Sequence, residues 1–288
     1  MTSSTTYSAP SPSRIALITG SSSGFGLLIA LNLARQGFVV IATMRDLSRR
    51  TALEEQAAQQ GVTDRIQYVQ LDVTDEQSLA TAVQSIYRQH GHIDVLINNA
   101  GYAAGGFVEH VPMQAWRDQL ETNVFGLIAV TRAVLPIMRD QRSGLIINMS
   151  SVSGLAAFPG YAPYATSKFA IEGFSESLRH EMAPFGVKIV LVEPGSYRTD
   201  IWDKGLSSIH TKPDSPYQPQ LDAVLRYSRH SAEHAPHPRQ VADLIGRIVN
   251  HKHPRLRYPV GQGSGLLVIA RKLLPWSWLE WIIRRATK

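Results

Sequence analysis

The feature that most narrows the fold is a glycine-rich turn, Thr19-Gly20-Ser21-Ser22-Ser23-Gly24-Phe25-Gly26, set between a short apolar run and a stretch with helical spacing. The run Arg14 to Thr19 ends at the turn, and Gly26 to Gln36 continues with helical spacing until Gly37 stops it. Phe38 to Thr43 is apolar again. Strand, glycine turn, helix and strand in that order open a parallel sheet whose strands are hidden on both faces. The alternation goes on, with strands expected at Ile66 to Leu71, Val95 to Asn98, Leu145 to Met149, Val187 to Val192 and Arg255 to Val260. Helices are expected near Leu53 to Gln60, Gln77 to His90, Met113 to Arg139, Tyr161 to Ala183 and Pro238 to Asn250. The pattern predicts an α/β fold: a doubly wound parallel sheet of about seven strands with helices on both faces.

A chain of 288 residues with 44% apolar content can bury the core of one such domain. Residues 1–13, rich in Ser, Thr and Pro, read as a mobile tail; 14–262 as the catalytic and cofactor-binding domain; 263–288 as an amphipathic helical extension. The chain has no cysteine, which excludes disulfides and thiolate metal sites and fits a reducing, cytoplasmic setting. Basic residues are scattered without aromatics interleaved along one groove, so nucleic acid is not an expected partner; the excess behind the net charge of +6 lies in Arg271, Lys272, Arg284, Arg285 and Lys288 against Glu280 alone. The ten histidines show no tight ligand spacing, and no metal is expected.

Two further groupings carry chemistry. A glycine turn leading into a helix offers free N–H groups at the positive end of the helix dipole, which suits a pyrophosphate. Tyr164 and Lys168 lie one helical turn apart, with Ser151 upstream. A phenol ionises near pH 10, so exchanging its proton near neutrality needs a neighbouring cation, and Lys168 is placed to supply one.

The G-x-x-x-G-x-G turn, Asn98-Asn99-Ala100-Gly101 after a later strand, Ser151 and Tyr164-x-x-x-Lys168 together resemble the short-chain dehydrogenase/reductase family over roughly Arg14 to Gly261. The resemblance implies a nicotinamide dinucleotide held by Gly20, Ser22, Ser23, Gly24, Phe25 and Gly26, with Asp72 and Val73 near the adenine and Asn99, Ala100 and Gly101 along its ribose. Asp72 reads equally well as a helix cap. It also implies that Pro194, Gly195 and Thr199 pass the nicotinamide, and that Tyr164, Lys168, Ser151 and Asn123 form the catalytic set, Asn123 holding a water that links Lys168 to solvent. After the second strand the chain reads Thr43-Met44-Arg45-Asp46, and Arg45 without a preceding acid points to NADP(H) rather than NAD(H).

Short stretches including Ser196-Tyr197-Arg198-Thr199 resemble the retinol and 17β-hydroxysteroid dehydrogenase branch. That implies a bulky apolar alcohol or ketone, bound by Ser151, Tyr161, Tyr164 and Trp202, with Tyr102, Phe158 and Ile201 nearby. It also implies homodimers or homotetramers through the Met113 and Tyr161 helices. Ser196 to Pro238 breaks the rhythm and reads as a substrate-covering loop. In the extension, Ser277-Trp278-Leu279-Glu280 reads as a capping box opening a helix whose tryptophans and basic residues suit a membrane interface; packing on the substrate mouth or on a second subunit stays open. A dinucleotide-binding sensor without activity would need the glycine turn but not Ser151, Tyr164 and Lys168 together.

Overall fold

A computed structural model describes residues 13–199 and 209–286. Its strands are β1 (Ile15–Ile18), β2 (Val39–Met44), β3 (Ile66–Gln70), β4 (Val95–Asn98), β5 (Gly144–Met149), β6 (Val187–Pro194) and β7 (Arg257–Val260). All pair in parallel in one sheet, ordered β3-β2-β1-β4-β5-β6-β7. The winding reverses between β1 and β4, which opens a crevice at their carboxyl ends. Every residue of β1 and β4 is buried, the reason those segments are unbroken apolar runs.

The helices are α1 (Gly24–Arg35), α2 (Thr51–Gln59), α3 (Glu76–His90), α4 (Met113–Leu120), α5 (Gly126–Gln141), α6 (Ala162–Met182), α7 (Gln218–Glu233), α8 (Arg239–Ile248), α9 (Ser264–Leu273) and α10 (Trp276–Ala286). The two-residue period of the strands sends alternate side chains to two cores. On one face Ile18, Val40, Ile97 and Ile147 meet Ile29 and Leu33 of α1 and Ile245 of α8. On the other, Leu17, Ile41, Leu96 and Ile146 lie under Val130, Val134 and Met138 of α5 and Leu178 of α6. Burying one such side chain fully stabilises the fold by about 1.5–3 kcal/mol.

Two expectations need correction and one gains a detail. The helix expected from Met113 runs unbroken to Gln141, with a π-helical turn at Glu121–Phe125 between α4 and α5, and a wider turn of this kind has no apolar-period signature to read. The long loop expected after Ser196 contains α7, whose buried Leu221, Val224 and Ser228 form a narrow stripe diluted by polar neighbours. The expected capping box does not cap: α10 opens at Trp276, so Ser277 lies inside it, and the Pro275 carbonyl accepts from the N–H groups of Trp278 (3.0 Å) and Leu279 (3.4 Å). Apart from Ser13, the expected 1–13 tail lies outside the described residues.

A buried polar chain ties the sheet to α5 and α6. The Asn98 amide donates to Thr131 Oγ1 and to Asn148 Oδ1 (both 2.9 Å), and Asn148 Nδ2 donates to Ser175 Oγ (2.8 Å). Asn148→Ala removes one acceptor from the buried Asn98 amide and the donor to buried Ser175 Oγ, leaving them only their bonds to Thr131 and to the Ile171 carbonyl. Urea unfolding should register a loss of about 1–3 kcal/mol.

Candidate active site

The glycine turn is shaped by contact with the β4 loop. Gly20 (φ +69°) and Gly24 (φ +57°) are left-handed, a conformation that side chains with a Cβ resist. A Cβ on Gly20 would sit 2.9 Å from Ala100 Cα, and one on Gly26 would strike the Gly20 carbonyl and lie 2.6 Å from Asn99 Nδ2. Asn99 Nδ2 donates to the carbonyls of Thr19 (3.0 Å) and Gly20 (2.9 Å), and the N–H groups of Asn99 and Ala100 both donate to Thr19 Oγ1 at 3.0 Å. The Asn99-Ala100-Gly101 segment therefore braces the turn from below. Ser23, at the N-cap of α1, makes no side-chain capping bond, and Ser22, Ser23 and Phe25 are half-buried. A narrow backbone cradle at an uncapped helix N-terminus fits the diphosphate of a dinucleotide.

At the far end of the turn, Thr43 Oγ1 donates to the Ile18 carbonyl (3.0 Å) and Met44 is buried, so Arg45 is the first exposed residue after β2. The neighbouring Asp46 is occupied: its carboxylate accepts from Ser48 N (2.9 Å), and those Ser48 contacts, helped by Arg49 and Arg45, hold its pKa below the usual value. Asp72 turns its Oδ1 toward Thr74, accepting from Thr74 N (3.0 Å) and Oγ1 (2.8 Å). The cap of α3 is Asp75, which accepts from Gln77 and Ser78, so the helix-cap alternative for Asp72 does not hold. Val73 packs against Gly126 at the start of α5.

Ser151, Tyr164 and Lys168, the residues expected to be catalytic, meet at the carboxyl ends of β4, β5 and β6, in a cleft of about 560 Å³. Ser151 follows β5; its Oγ accepts from Ser153 N (3.1 Å), donates weakly to the Pro194 carbonyl (3.4 Å) and lies at the Tyr164 hydroxyl. Ser150 faces Glu172 instead, which separates the two adjacent serines by role. Burial pushes the Tyr164 phenol above its ordinary pKa, and the Ser151 hydrogen bond works against that. This departs from the expectation that Lys168 makes the phenol acidic. Lys168 is buried, its Nζ donates to the Met149 carbonyl (2.7 Å) and stands 5.5 Å from the Tyr164 ring centre. Burial lowers its pKa to about 8 against the opposing pull of Glu172.

Behind Lys168 lies a buried acidic pair. Glu172, one turn on along α6, accepts from Arg257 Nε (3.0 Å), and Arg257 Nη2 reaches Glu176 at 2.6 Å. Glu193 of β6 is fully buried, and burial followed by the charge of Glu172 pushes it up to about 8.

Asn123 sits in the π turn, 1% exposed. Its Oδ1 accepts from Tyr102 N (3.1 Å), and its Nδ2 donates to the Tyr102 carbonyl (2.9 Å) and to Ser167 Oγ (3.1 Å). Its side chain thus positions the β4 loop against α6 rather than presenting a free amide to a water.

Pro194, Gly195 and Thr199 line the cleft opposite the glycine turn, with Thr199 beside Gly24. Tyr197, expected only as part of a branch signature, is the bolt of this segment: 1% exposed, it donates to Gln240 Oε1 at 2.7 Å. Tyr161 bonds Ser228 of α7 (3.2 Å), and Phe158 stacks on Tyr227 of α7 at 6.4 Å. That α7 wall was hidden from sequence reading because its helix was. Trp202 and Ile201 lie outside the described residues. Among the described residues, His230, Glu233 and His234 bring ligand-type atoms within 4.8 Å of one another at the exposed rim, a grouping the histidine spacing did not suggest. His234 Nδ1 is engaged with the His230 carbonyl (2.8 Å).

Residues 14–208 match the family model described as short chain dehydrogenase, and the chain belongs to that family. It is an NAD(P)-dependent oxidoreductase by that membership. It is 48% identical to an uncharacterized oxidoreductase, YusZ, of Bacillus subtilis, covering 94% of this chain and 98% of that one. A 3-ketodihydrosphingosine reductase of Bacteroides thetaiotaomicron is 36% identical (92% and 93% covered), and retinol dehydrogenase 8 of Bos taurus 38% (85% and 80%), so the resemblance to the retinol dehydrogenase branch holds. Among solved structures, a short-chain dehydrogenase from Streptomyces avermitilis superposes with a TM-score of 0.79 at 30% identity (96% and 99% covered). An NADP-bound ElxO structure gives 0.71 at 27% identity (84% and 93%).

The buried amine has a consequence for stability. At pH values below about 8 folded and unfolded chains both carry the Lys168 proton, and the burial penalty is fully present. Between about 8 and the ordinary value of 10.5 the unfolded chain binds the proton more tightly, so stability rises with pH. Wild type should therefore gain on Lys168→Met in urea unfolding as pH goes from 8 to 10; a constant difference would show that the amine is not desolvated.

Proposed function

We propose that the chain interconverts a ketone or aldehyde and the corresponding alcohol with NADP(H), that Tyr164 is its proton donor and acceptor, and that the substrate is bulky, apolar and lipid-like. The observation that carries this reading is the meeting of the Ser151 and Tyr164 hydroxyls on the floor of the cleft, with the Lys168 ammonium behind the ring. The bound nicotinamide supplies or takes up the hydride at the carbon. The chain's own groups handle the oxygen.

In reduction, Ser151 and Tyr164 both donate hydrogen bonds to the substrate oxygen, where negative charge grows. Burial keeps the phenol protonated, the form this direction requires, and the proton passes from Tyr164 to that oxygen. The phenolate left behind belongs to the ring whose centre stands 5.5 Å from Lys168 Nζ, and that amine, still protonated at neutral pH, stabilises the anion. In oxidation the proton moves the other way. Asn123 contributes by holding the Tyr102 loop, as a positioning residue.

NADP(H) is supported by Arg45 at the first exposed position after β2 and by the engagement of Asp46 with Ser48, which removes the acid that a free 2′-hydroxyl would want. The apolar substrate is supported by the lining of the cleft, where Phe158, Tyr161, Val224 and Tyr227 join Ser151 and Tyr164. The exposed Met113, Phe125 and Phe169 on α4 to α6 support assembly into homodimers or homotetramers through those helices.

Tyr164→Phe should retain NADPH binding while turnover of a ketone, followed at 340 nm, falls by several orders of magnitude. Near-normal turnover would reject Tyr164 as the proton carrier. Arg45→Ala should raise the Michaelis constant for NADPH by about tenfold or more and leave that for NADH nearly unchanged; equal effects on both would reject the 2′-phosphate reading.

A further inference from the structure

The last two helices leave one side uncovered. On α9, Leu266, Ile269 and Leu273 recur at three- and four-residue intervals and are 72%, 55% and 76% exposed. On α10, Trp276, Trp278, Trp281 and Ile282 are 57%, 63%, 61% and 45% exposed. Residues 266–282 hold seven of the thirteen large apolar side chains left exposed among the described residues, so the exposure is a patch and not scatter. The inner side is different: Ser264 and Leu279 are buried, and Leu267 lines the rim of the reaction cleft.

Charge on the patch has one dominant sign. Arg271, Lys272, Arg284 and Arg285 stand against Glu280 alone, and Glu280 is paired with Arg284 at 2.6 Å. The Arg271 guanidinium, which also donates to the Leu155 carbonyl (3.2 Å), lies 5.4 Å from the Trp276 ring centre and that of Arg285 5.5 Å from Trp281, so two of these cations lie against tryptophan rings. A second copy docking by this face across a two-fold axis would press like charges together. An anionic bilayer surface presents the opposite charge to the cations and an apolar boundary to the rings and leucines. Neither helix approaches the roughly 20 residues needed to cross a bilayer, so the pair would lie in the interface plane.

We propose that α9 and α10 dock the protein on anionic lipid bilayers, with the Trp and Leu side chains in the headgroup and acyl boundary and the Arg and Lys side chains at the phosphates. Through Leu267 the same surface adjoins the cleft rim, giving an apolar substrate a route from lipid to Tyr164. That route rests on the substrate class proposed above; the docking does not.

The test is flotation of the full chain with vesicles of phosphatidylcholine alone or mixed with phosphatidylglycerol. Wild type should float with the mixed vesicles and partition about tenfold or more weakly onto the neutral ones or in high salt. The Leu266→Glu, Leu273→Glu, Trp278→Glu triple variant should stay with the soluble fraction while its NADPH binding, read by nucleotide fluorescence, matches wild type. Wild type remaining soluble with the mixed vesicles overturns the proposal, and so does flotation of the triple variant. Should wild type stay soluble and sediment as a dimer that the triple variant breaks, the face is a subunit contact and the proposal fails. Because flotation requires no turnover, failure of the catalytic reading leaves this result interpretable, and the reverse.

Discussion

A lysine ammonium without water around it must be held by something, and most of this site can be read from how Lys168 is held. Its proton goes to the Met149 carbonyl at the end of β5, which fastens α6 to the sheet at one point. Tyr164 stands one turn earlier on the same helix face, so that fastening also aims the phenol, and Glu172 stands one turn later, where its charge offsets part of the desolvation cost. Arg257 carries the compensation outward to Glu176 at the surface. One helix face thus holds, in sequence, the Tyr164 phenol, a cation, and the counter-charge that keeps the cation tolerable.

The rest of the site is positioned by amide side chains, three of them buried and that of Asn99 half-buried. Asn99 holds the glycine turn, Asn123 holds the Tyr102 loop against α6, and Asn98 with Asn148 ties β4 and β5 to the helices above them. Each satisfies backbone or hydroxyl groups that would otherwise be buried unpaired, at a cost of about 1–3 kcal/mol apiece. These side chains are polar for packing reasons, and that polarity at the carboxyl ends of the strands is what a cleft for a charged dinucleotide needs.

Family membership sets the chemistry that such a site supports, while the walls set what enters it. Here the walls are α7, reached by Tyr161 and Phe158, and the edge of α9. Both lie in the later part of the chain, where the strand–helix alternation thins out. An apolar wall next to an exposed apolar helix pair is a coherent arrangement for the lipid-like substrate proposed above.

The strand–turn–helix order, the parallel sheet of seven strands, the glycine cradle and the Ser151, Tyr164, Lys168 grouping were all legible from residue order, because each depends on local geometry or on a two- or four-residue period. The exposed place of Arg45 was legible too, since it follows from where β2 ends. What required the tertiary structure were facts set by neighbours distant in the chain: the direction of the Tyr164 pKa, which burial decides, and the full engagement of Asn123 by Tyr102 and Ser167. The π turn, the cap at Asp75 in place of Asp72 and the α7 wall were equally invisible, because a hydrogen-bond partner or a narrow buried stripe leaves no periodic trace in a sequence. Periodicity reports which faces are hidden; it does not say what hides them, and desolvation, the force that tunes this site, depends on the second.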